Sequence, residues 1–249
     1  MANISFAGET AENYQQKCLC VLVLDTSGSM GEIVDSTGSR PTGRKQVIDG
    51  VEYNIVEGGI SRLKNLQDGL ASFYEDIAND DSMSQRLEIA VISFNDEVEI
   101  VQDPCLIEDC PPPLLSAKGM TDIAGAMETA MDVVEARKSW YRTTGQPYYR
   151  PWIILMTDGE ANRGQDMDAL GATIRNEVAN KHFEFLPIGV DNANMGMLKK
   201  LEANLEAKSL KGTKFSQFFK WLSASMSTVV GNKEPNYDDF IEKMGSYEL

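Results

Sequence analysis

The chain is poor in the residues on which many enzymatic and nucleic-acid sites depend. Its 249 residues contain one histidine, His182, and four cysteines, while 23 basic residues face 38 acidic ones for a net charge of −15. Phosphate backbones need cationic partners, so this balance argues against nucleic acid as a ligand class, and against an anionic membrane surface with it. The apolar runs are about strand length, against the roughly 20 residues of a membrane helix. "MANISFAGETAENYQQK" lacks a basic start followed by an apolar stretch and is not expected to be a signal peptide. No glycine-rich loop ends in Lys-Ser or Lys-Thr, which excludes a Walker-type nucleotide site. Without a secretory signal, the cysteines are expected to be reduced thiols in a cytoplasmic protein. Cys18 and Cys20 should share one strand face as buried thiols. Cys105 and Cys110, in "CLIEDC", are expected in a loop, and a lone histidine makes them a poor zinc site.

What the chain does have is a regular succession of elements. "CVLVLD" is an unbroken apolar strand of the kind covered on both faces. "SRLKNLQDGLASFYEDI" places Leu63, Leu66, Leu70, Phe73 and Ile77 at spacings of three and four, an amphipathic helix. "RLEIAVISF" reads as a second buried strand. "EVEIV" follows across Asn95-Asp96, a connection short enough to require an antiparallel hairpin and hence an edge strand with one wet face. Helices then read over "DIAGAMETAMDVVEA", "MDALGATIRNEVANK", "NMGMLKKLEANL" and "KFSQFFKWLSASMSTVV", with strands "WIILMT" and "FEFLPIGV" between them. Alternating strands and helices imply one α/β domain, doubly wound, with a mainly parallel sheet and helices on both faces.

Two of the buried strands end alike, with an aspartate followed by small polar residues and glycine. Asp25 closes "CVLVLD" and is followed by Thr-Ser-Gly-Ser-Met, while Asp158 follows "WIILMT" and precedes Gly-Glu. In open α/β sheets, ligands bind beyond the carboxyl ends of the strands. If these strands are neighbours, two carboxylates converge there and repel, which a divalent cation relieves. Asp25, Ser27 and Ser29 lie on alternate residues of one turn, where Gly28 frees the backbone. Thr121, in "SAKGMTDIAGA" before a helix, supplies another hydroxyl that could reach the metal or cap the helix. Carboxylates with hydroxyls suit a hard cation such as Mg²⁺. The eighteen residues Asp103 to Met120 are long enough to return the chain from the edge strand to the metal side.

With Asp25-x-Ser27-x-Ser29, Thr121 and "MTDGE" in order, the chain resembles the metal-ion-dependent adhesion site (MIDAS) of von Willebrand factor type A (VWA) domains, over roughly residues 18–230. The resemblance implies a three-layer, Rossmann-like fold with a six-stranded, mostly parallel sheet and one antiparallel edge strand. It implies that Ser27, Ser29 and Thr121 coordinate Mg²⁺ or Mn²⁺, with Asp25 and Asp158 acting directly or through water. "LVLDTSGSM" and "LKGTKFSQFFKWLSASMS" look most like the bacterial intracellular branch containing the TerY-type tellurite-resistance proteins, which implies an adaptor in chemical stress resistance. The implied partner is a protein offering an Asp or Glu carboxylate to the metal.

The division expected is an N-terminal extension over 1–17, the VWA domain over 18–230 and an acidic tail over 231–249. Within the domain, 32–60 is an insertion in which "RKQVIDGVEYNIV" reads as a β-hairpin turning at Asp49-Gly50, either a plain excursion or a lid over the site. The aromatic stretch "KSWYRTTGQPYYRPW" is expected between a helix and a strand, as core-edge packing or as a second contact surface. The enzymatic alternative, a Mg²⁺-dependent phosphohydrolase, needs a second aspartate two residues after the first. That position is Ser27, which cannot act as general acid at neutral pH. His182 should lie at the opposite end of the sheet, so the chain is read as a binding module and not an enzyme.

Overall fold

The computed structural model describes residues 4–6, 8–9, 13–48, 51–159, 161–162, 164–211 and 214–231. Strands β1 (Cys18–Asp25), β6 (Leu87–Phe94), β8 (Trp152–Thr157), β9 (Glu184–Val190) and β10 (Lys208–Leu210) are joined by β7 (Val98–Leu106) into a six-stranded sheet. Its order is β10-β9-β8-β1-β6-β7, with every pair parallel except β6–β7. The unbroken apolar run of β1 now has its reason, because both faces are covered. Cys18, Cys20, Leu22 and Leu24 pack toward helices α1 (Arg62–Ala78) and α6 (Phe215–Val230). Leu19, Val21 and Val23 pack toward α3 (Ile123–Thr144), α4 (Met167–Ala179) and α5 (Met195–Leu201). A one-turn helix, α2 (Asp81–Ser84), leads into β6. This is the doubly wound, three-layer arrangement expected.

Among the described α-helices, all but α6 begin where a side chain satisfies free amides. Ser61, Asp122, Asp166 and Asn194 accept from Lys64, Gly125, Ala169 and Met197 backbone N–H at 2.9–3.1 Å. Asp122, and not Thr121, therefore caps α3. Gly69 lets α1 and α6 touch: a Cβ there would sit 2.9 Å from the Phe219 ring and 3.0 Å from Phe215.

The structure departs from the sequence reading in four places. Strand β7 continues through Pro104 to Leu106, so Cys105 lies on a strand; an edge position tolerates the proline. The return to the metal side is made by the shorter stretch after Leu106, through a 3-10 turn at Ile107–Asp109. Helix α3 runs two turns beyond "EA", carrying Trp140 and Tyr141 inward, and ends at Gly145 with φ 73°. The aromatic stretch thus packs as core edge: Tyr141 and Trp152 are buried, and Tyr148 stacks on Tyr141 at 4.9 Å. The expectation of four reduced thiols also fails, because Cys105 and Cys110 are disulfide-bonded while Cys18 and Cys20 are free and buried. Two cysteines five positions apart, one on the edge strand and one beyond the turn that follows it, are brought within bonding reach by that reversal.

The extended helix end closes a buried polar network. Arg137 donates bidentately to Glu88 Oε1 and Oε2 at 2.9 and 2.8 Å, and the Tyr141 hydroxyl donates to Glu88 as well. Phe6 and Trp140 cover the guanidinium, which also pairs with Glu9.

The insertion forms a two-stranded hairpin, β3 (Arg40–Ile48) with β4 (Val51–Glu57), on a short stem in which β2 (Ile33–Asp35) pairs with β5 (Ile60–Ser61). The expected Asp49-Gly50 turn lies outside the described residues, as does nearly all of the acidic tail.

Candidate metal centre

Parallel strands bring their carboxyl ends to one rim, and β1 lies between β6 and β8. Register sets Leu24 opposite Met156, so Asp25 and Thr157 finish side by side. The Thr157 hydroxyl donates to Asp25 Oδ2, and the Ser27 backbone N–H donates to Oδ1 at 2.7 Å. The turn Gly28–Gly31 then swings Ser29 across the rim. Its hydroxyl donates to Asp158 Oδ1 at 2.7 Å, and the Ser27 and Ser29 hydroxyls stand 3.1 Å apart. Thr121 arrives from the third segment. A Cβ on Gly159 would lie 3.0 Å from Thr121 Oγ1 and 3.7 Å from Asp25 Oδ2, so both reach one point. All five expected residues are brought to the same rim.

Hydrogen bonds between loops hold Thr121 there. Its N–H donates to Asn162 Oδ1 at 2.9 Å, and its carbonyl accepts from the Asn162 N–H and the Gln165 side chain at 3.0 and 2.9 Å. Gly28 N–H donates to the Gly119 carbonyl, Lys118 N–H to the Thr26 carbonyl and Asp122 N–H to the Asn95 carbonyl. Gly119 has φ 67°, and a Cβ there would fall 2.2 Å from the Asp96 carboxylate, which accepts from Met120 N–H. The positive φ, with the carboxylate so close, favours glycine there.

Burial dominates the electrostatics of the two aspartates. Burial raises the Asp25 carboxyl from 3.8 to about 6, against the lowering effect of its bonds from Ser27 and Thr157. Burial also raises Asp158, with Glu32 and Asp191 adding to the rise and the Ser29 hydroxyl and Arg62 opposing it. The Ser29–Asp158 and Ser27–Ser29 oxygen–oxygen spacings of 2.7 and 3.1 Å bracket the roughly 2.9 Å between neighbouring oxygens around an octahedral ion with 2.0–2.1 Å bonds. Two carboxylates with three hydroxyls thus fit Mg²⁺ or Mn²⁺. Among the described residues, no group of three His, Cys, Asp or Glu side chains is placed to hold a metal, so a site of zinc-finger type is not formed.

Four neighbours escaped the sequence reading. Thr157 orients Asp25. Arg62, at the start of α1, has Nη1 3.6 Å from Asp158 Oδ2, 2.9 Å from the Ser29 carbonyl and 2.8 Å from Glu32. Asp191, just past β9, accepts from Arg62 Nε. Thr157 was visible in "MTDGE"; Arg62, Glu32 and Asp191 carry no local signal because their partners are far off in sequence. His182 bonds Glu177 at 2.6 Å between α4 and β9, at the opposite end of the sheet.

Residues 20–160 match the von Willebrand factor type A domain family, more than half of the chain. No curated protein matches the sequence. Among solved structures, the PilB minor pilin of Streptococcus sanguinis is similar at TM-score 0.59 and 12% identity over 89% of this chain and 64% of the pilin. The vWF domain of the type V pili tip protein Mfa5 from Porphyromonas gingivalis gives 0.56 and 13%, covering 87% and 97%. Proximal thread matrix protein 1 of the mussel byssus, solved with a zinc-occupied MIDAS motif, gives 0.51 and 15%, covering 87% and 49%. The chain thus spans about half the mussel protein and just under two thirds of the pilin. These likenesses establish the fold.

Proposed function

The chain belongs to the von Willebrand factor type A domain family, and we propose that its rim cluster is a metal-dependent docking site for an acidic side chain of a protein partner. Domains of this family are typically interaction modules and not enzymes. In this reading Ser27, Ser29 and Thr121 hold Mg²⁺ or Mn²⁺ through their hydroxyls, and Asp25 and Asp158 bind directly or through water. The partner's Asp or Glu replaces a water at an open coordination position. The observation that carries the reading is the Ser29–Asp158 contact at 2.7 Å, made across 129 positions, with the Ser27 hydroxyl beside it. In a chain of net charge −15, a bound cation gives a carboxylate its point of attraction, and screening over about 8 Å mutes the remaining negative surface.

The module is taken as 18–230, with 1–17 an extension, 32–60 an insertion and 231–249 a tail; β1 beginning at Cys18 and α6 ending at Val230 support this division. The finer placement, a TerY-like cytoplasmic adaptor in tellurite or chemical stress resistance, rests on the likeness of "LVLDTSGSM" and "LKGTKFSQFFKWLSASMS" alone. No described helix is long and apolar enough to cross a membrane. The cytoplasmic argument from reduced thiols no longer applies, since Cys105 and Cys110 are bonded.

The test is capture of binding proteins by wild type, Asp25→Ala and Asp158→Ala, with and without chelator, alongside calorimetric titration with Mg²⁺ and Mn²⁺. Metal uptake and partner capture should disappear together in both variants. Capture unchanged by chelator and by both substitutions would reject the reading.

A further inference from the structure

We propose that Arg62 is the built-in counter-charge of the rim site and limits how tightly the site takes a divalent cation. The inference rests on the metal-docking reading above and adds the residue that tunes it. Arg62 draws together three carboxylates from separate segments: Glu32 after the serine turn, Asp158 after β8 and Asp191 after β9. Its side chain is 13% exposed and that of Asp158 only 3%, so the contact lies largely out of solvent. Asp191 stands in a left-handed backbone conformation, φ 50°, with its N–H bound to the Leu210 carbonyl at 2.8 Å.

The two oxygens of Asp158 have divided roles. Oδ1 accepts from the Ser29 hydroxyl at 2.7 Å, and Oδ2 faces the guanidinium at 3.6 Å. Ser29 is shared as well, its hydroxyl turned to Asp158 and its carbonyl accepting from Arg62 Nη1 at 2.9 Å. A cation held by Ser29 and Asp158 therefore sits beside a fixed positive charge that is bonded to the first and ion-paired with the second. Without metal, Arg62 offsets part of the charge of the converging carboxylates. With metal, it repels the ion and competes for Asp158. Arginine keeps its charge throughout the working pH range, so the opposition is constant.

Arg62 also closes the insertion. Its N–H donates to the Glu32 carbonyl at 3.1 Å, next to the Ile33–Ser61 pair of the stem, and its guanidinium meets the Glu32 side chain. The residue that ends the hairpin excursion is thus the one that sets the charge at the metal.

Calorimetric titration of the full chain with MgCl₂ tests this, using Arg62→Gln, Arg62→Lys and, on the exposed side, Glu32→Gln. Arg62→Gln should bind Mg²⁺ on the order of tenfold more tightly, the scale of one partly buried charge interaction. Arg62→Lys, which keeps the charge, should stay within about threefold of wild type. In chelator, Arg62→Gln should melt at a lower temperature than wild type, because three carboxylates lose their counter-charge. Glu32→Gln, which folds without demanding a buried change, releases Arg62 toward Asp158 and should bind several-fold more weakly. Equal or weaker binding by folded Arg62→Gln, or tighter binding by Glu32→Gln, overturns the proposal. The two readings fail differently. Wild type that takes up no Mg²⁺ or Mn²⁺ removes the metal site and this inference together, whereas uptake lost in Asp25→Ala but unaltered in Arg62→Gln rejects only the role of Arg62.

Discussion

Replacing Asp25 by Asn should stabilise the metal-free protein while abolishing metal uptake. Asp25 is 0% exposed, and burial raises its carboxyl from 3.8 to about 6. The sign follows from linkage: a folded-state pKa above the unfolded value means the native state prefers the protonated form. The charged carboxylate therefore costs stability as pH rises from about 4 to about 6, and the full cost persists above that. A shift of about two units corresponds to about 3 kcal/mol at pH 7.5. Asn carries no charge, keeps an oxygen for the Ser27 N–H, and turns an NH₂ toward Thr157, whose hydroxyl can accept. Allowing for that imperfect exchange, the gain should be about 1–2 kcal/mol, or about 2–8 °C in melting temperature for a chain of this size. The assay is thermal and urea unfolding in chelator at pH 7.5 and at pH 4.5. The variant should lead at pH 7.5, and the lead should shrink at pH 4.5 as wild-type Asp25 takes up its proton. Added Mg²⁺ should then raise the melting temperature of wild type and leave the variant unmoved. A variant less stable than wild type in chelator at pH 7.5 would refute the reasoning, since the buried charge would then be well compensated.

Three further outcomes are expected. Glu88→Gln leaves the buried Arg137 with only the partly exposed Glu9 carboxylate and should lower stability by about 3 kcal/mol, read as a fall in urea midpoint. Gly69→Ala forces α1 away from Phe215 and Phe219 and should cost about 1–3 kcal/mol; a neutral result would mean the helices shift freely. Thiol titration of the unreduced protein in denaturant should find two free thiols, and reduction should cost about 2 kcal/mol, the closure entropy of a six-residue loop. Four titrating thiols would remove the Cys105–Cys110 bond.

Some of this architecture is written in short-range pattern and some is not. Strands β1, β6 and β8 are buried along their whole length and read as mainly apolar runs, β6 interrupted only by Glu88 and Ser93, while α1 and α6 show their inward faces at helical spacing. Strand β10 does not, because Lys-Ser-Leu has no apolar run and is a strand only through its pairing with β9. The last turns of α3 look like a loop of aromatics and charge until Glu88 supplies a buried partner for Arg137 and Tyr141. Pro104 argues against a strand everywhere except at an edge, where β7 lies.

By itself the sequence determined the alternation of elements and the doubly wound sheet and offered the five oxygen-bearing side chains as three separate local motifs, because each element and each motif depends on residues within a few positions of one another. Burial period, strand-end aspartates and glycine-assisted turns are local properties. The tertiary structure alone decided what surrounds those five: Thr157 on Asp25, the Asn162 and Gln165 clasp on Thr121, and Arg62 between Asp158, Glu32 and Asp191. Those contacts join segments from about 30 to more than 100 positions apart, and no period or motif encodes a charge pair that exists only once the sheet has set its strand ends side by side.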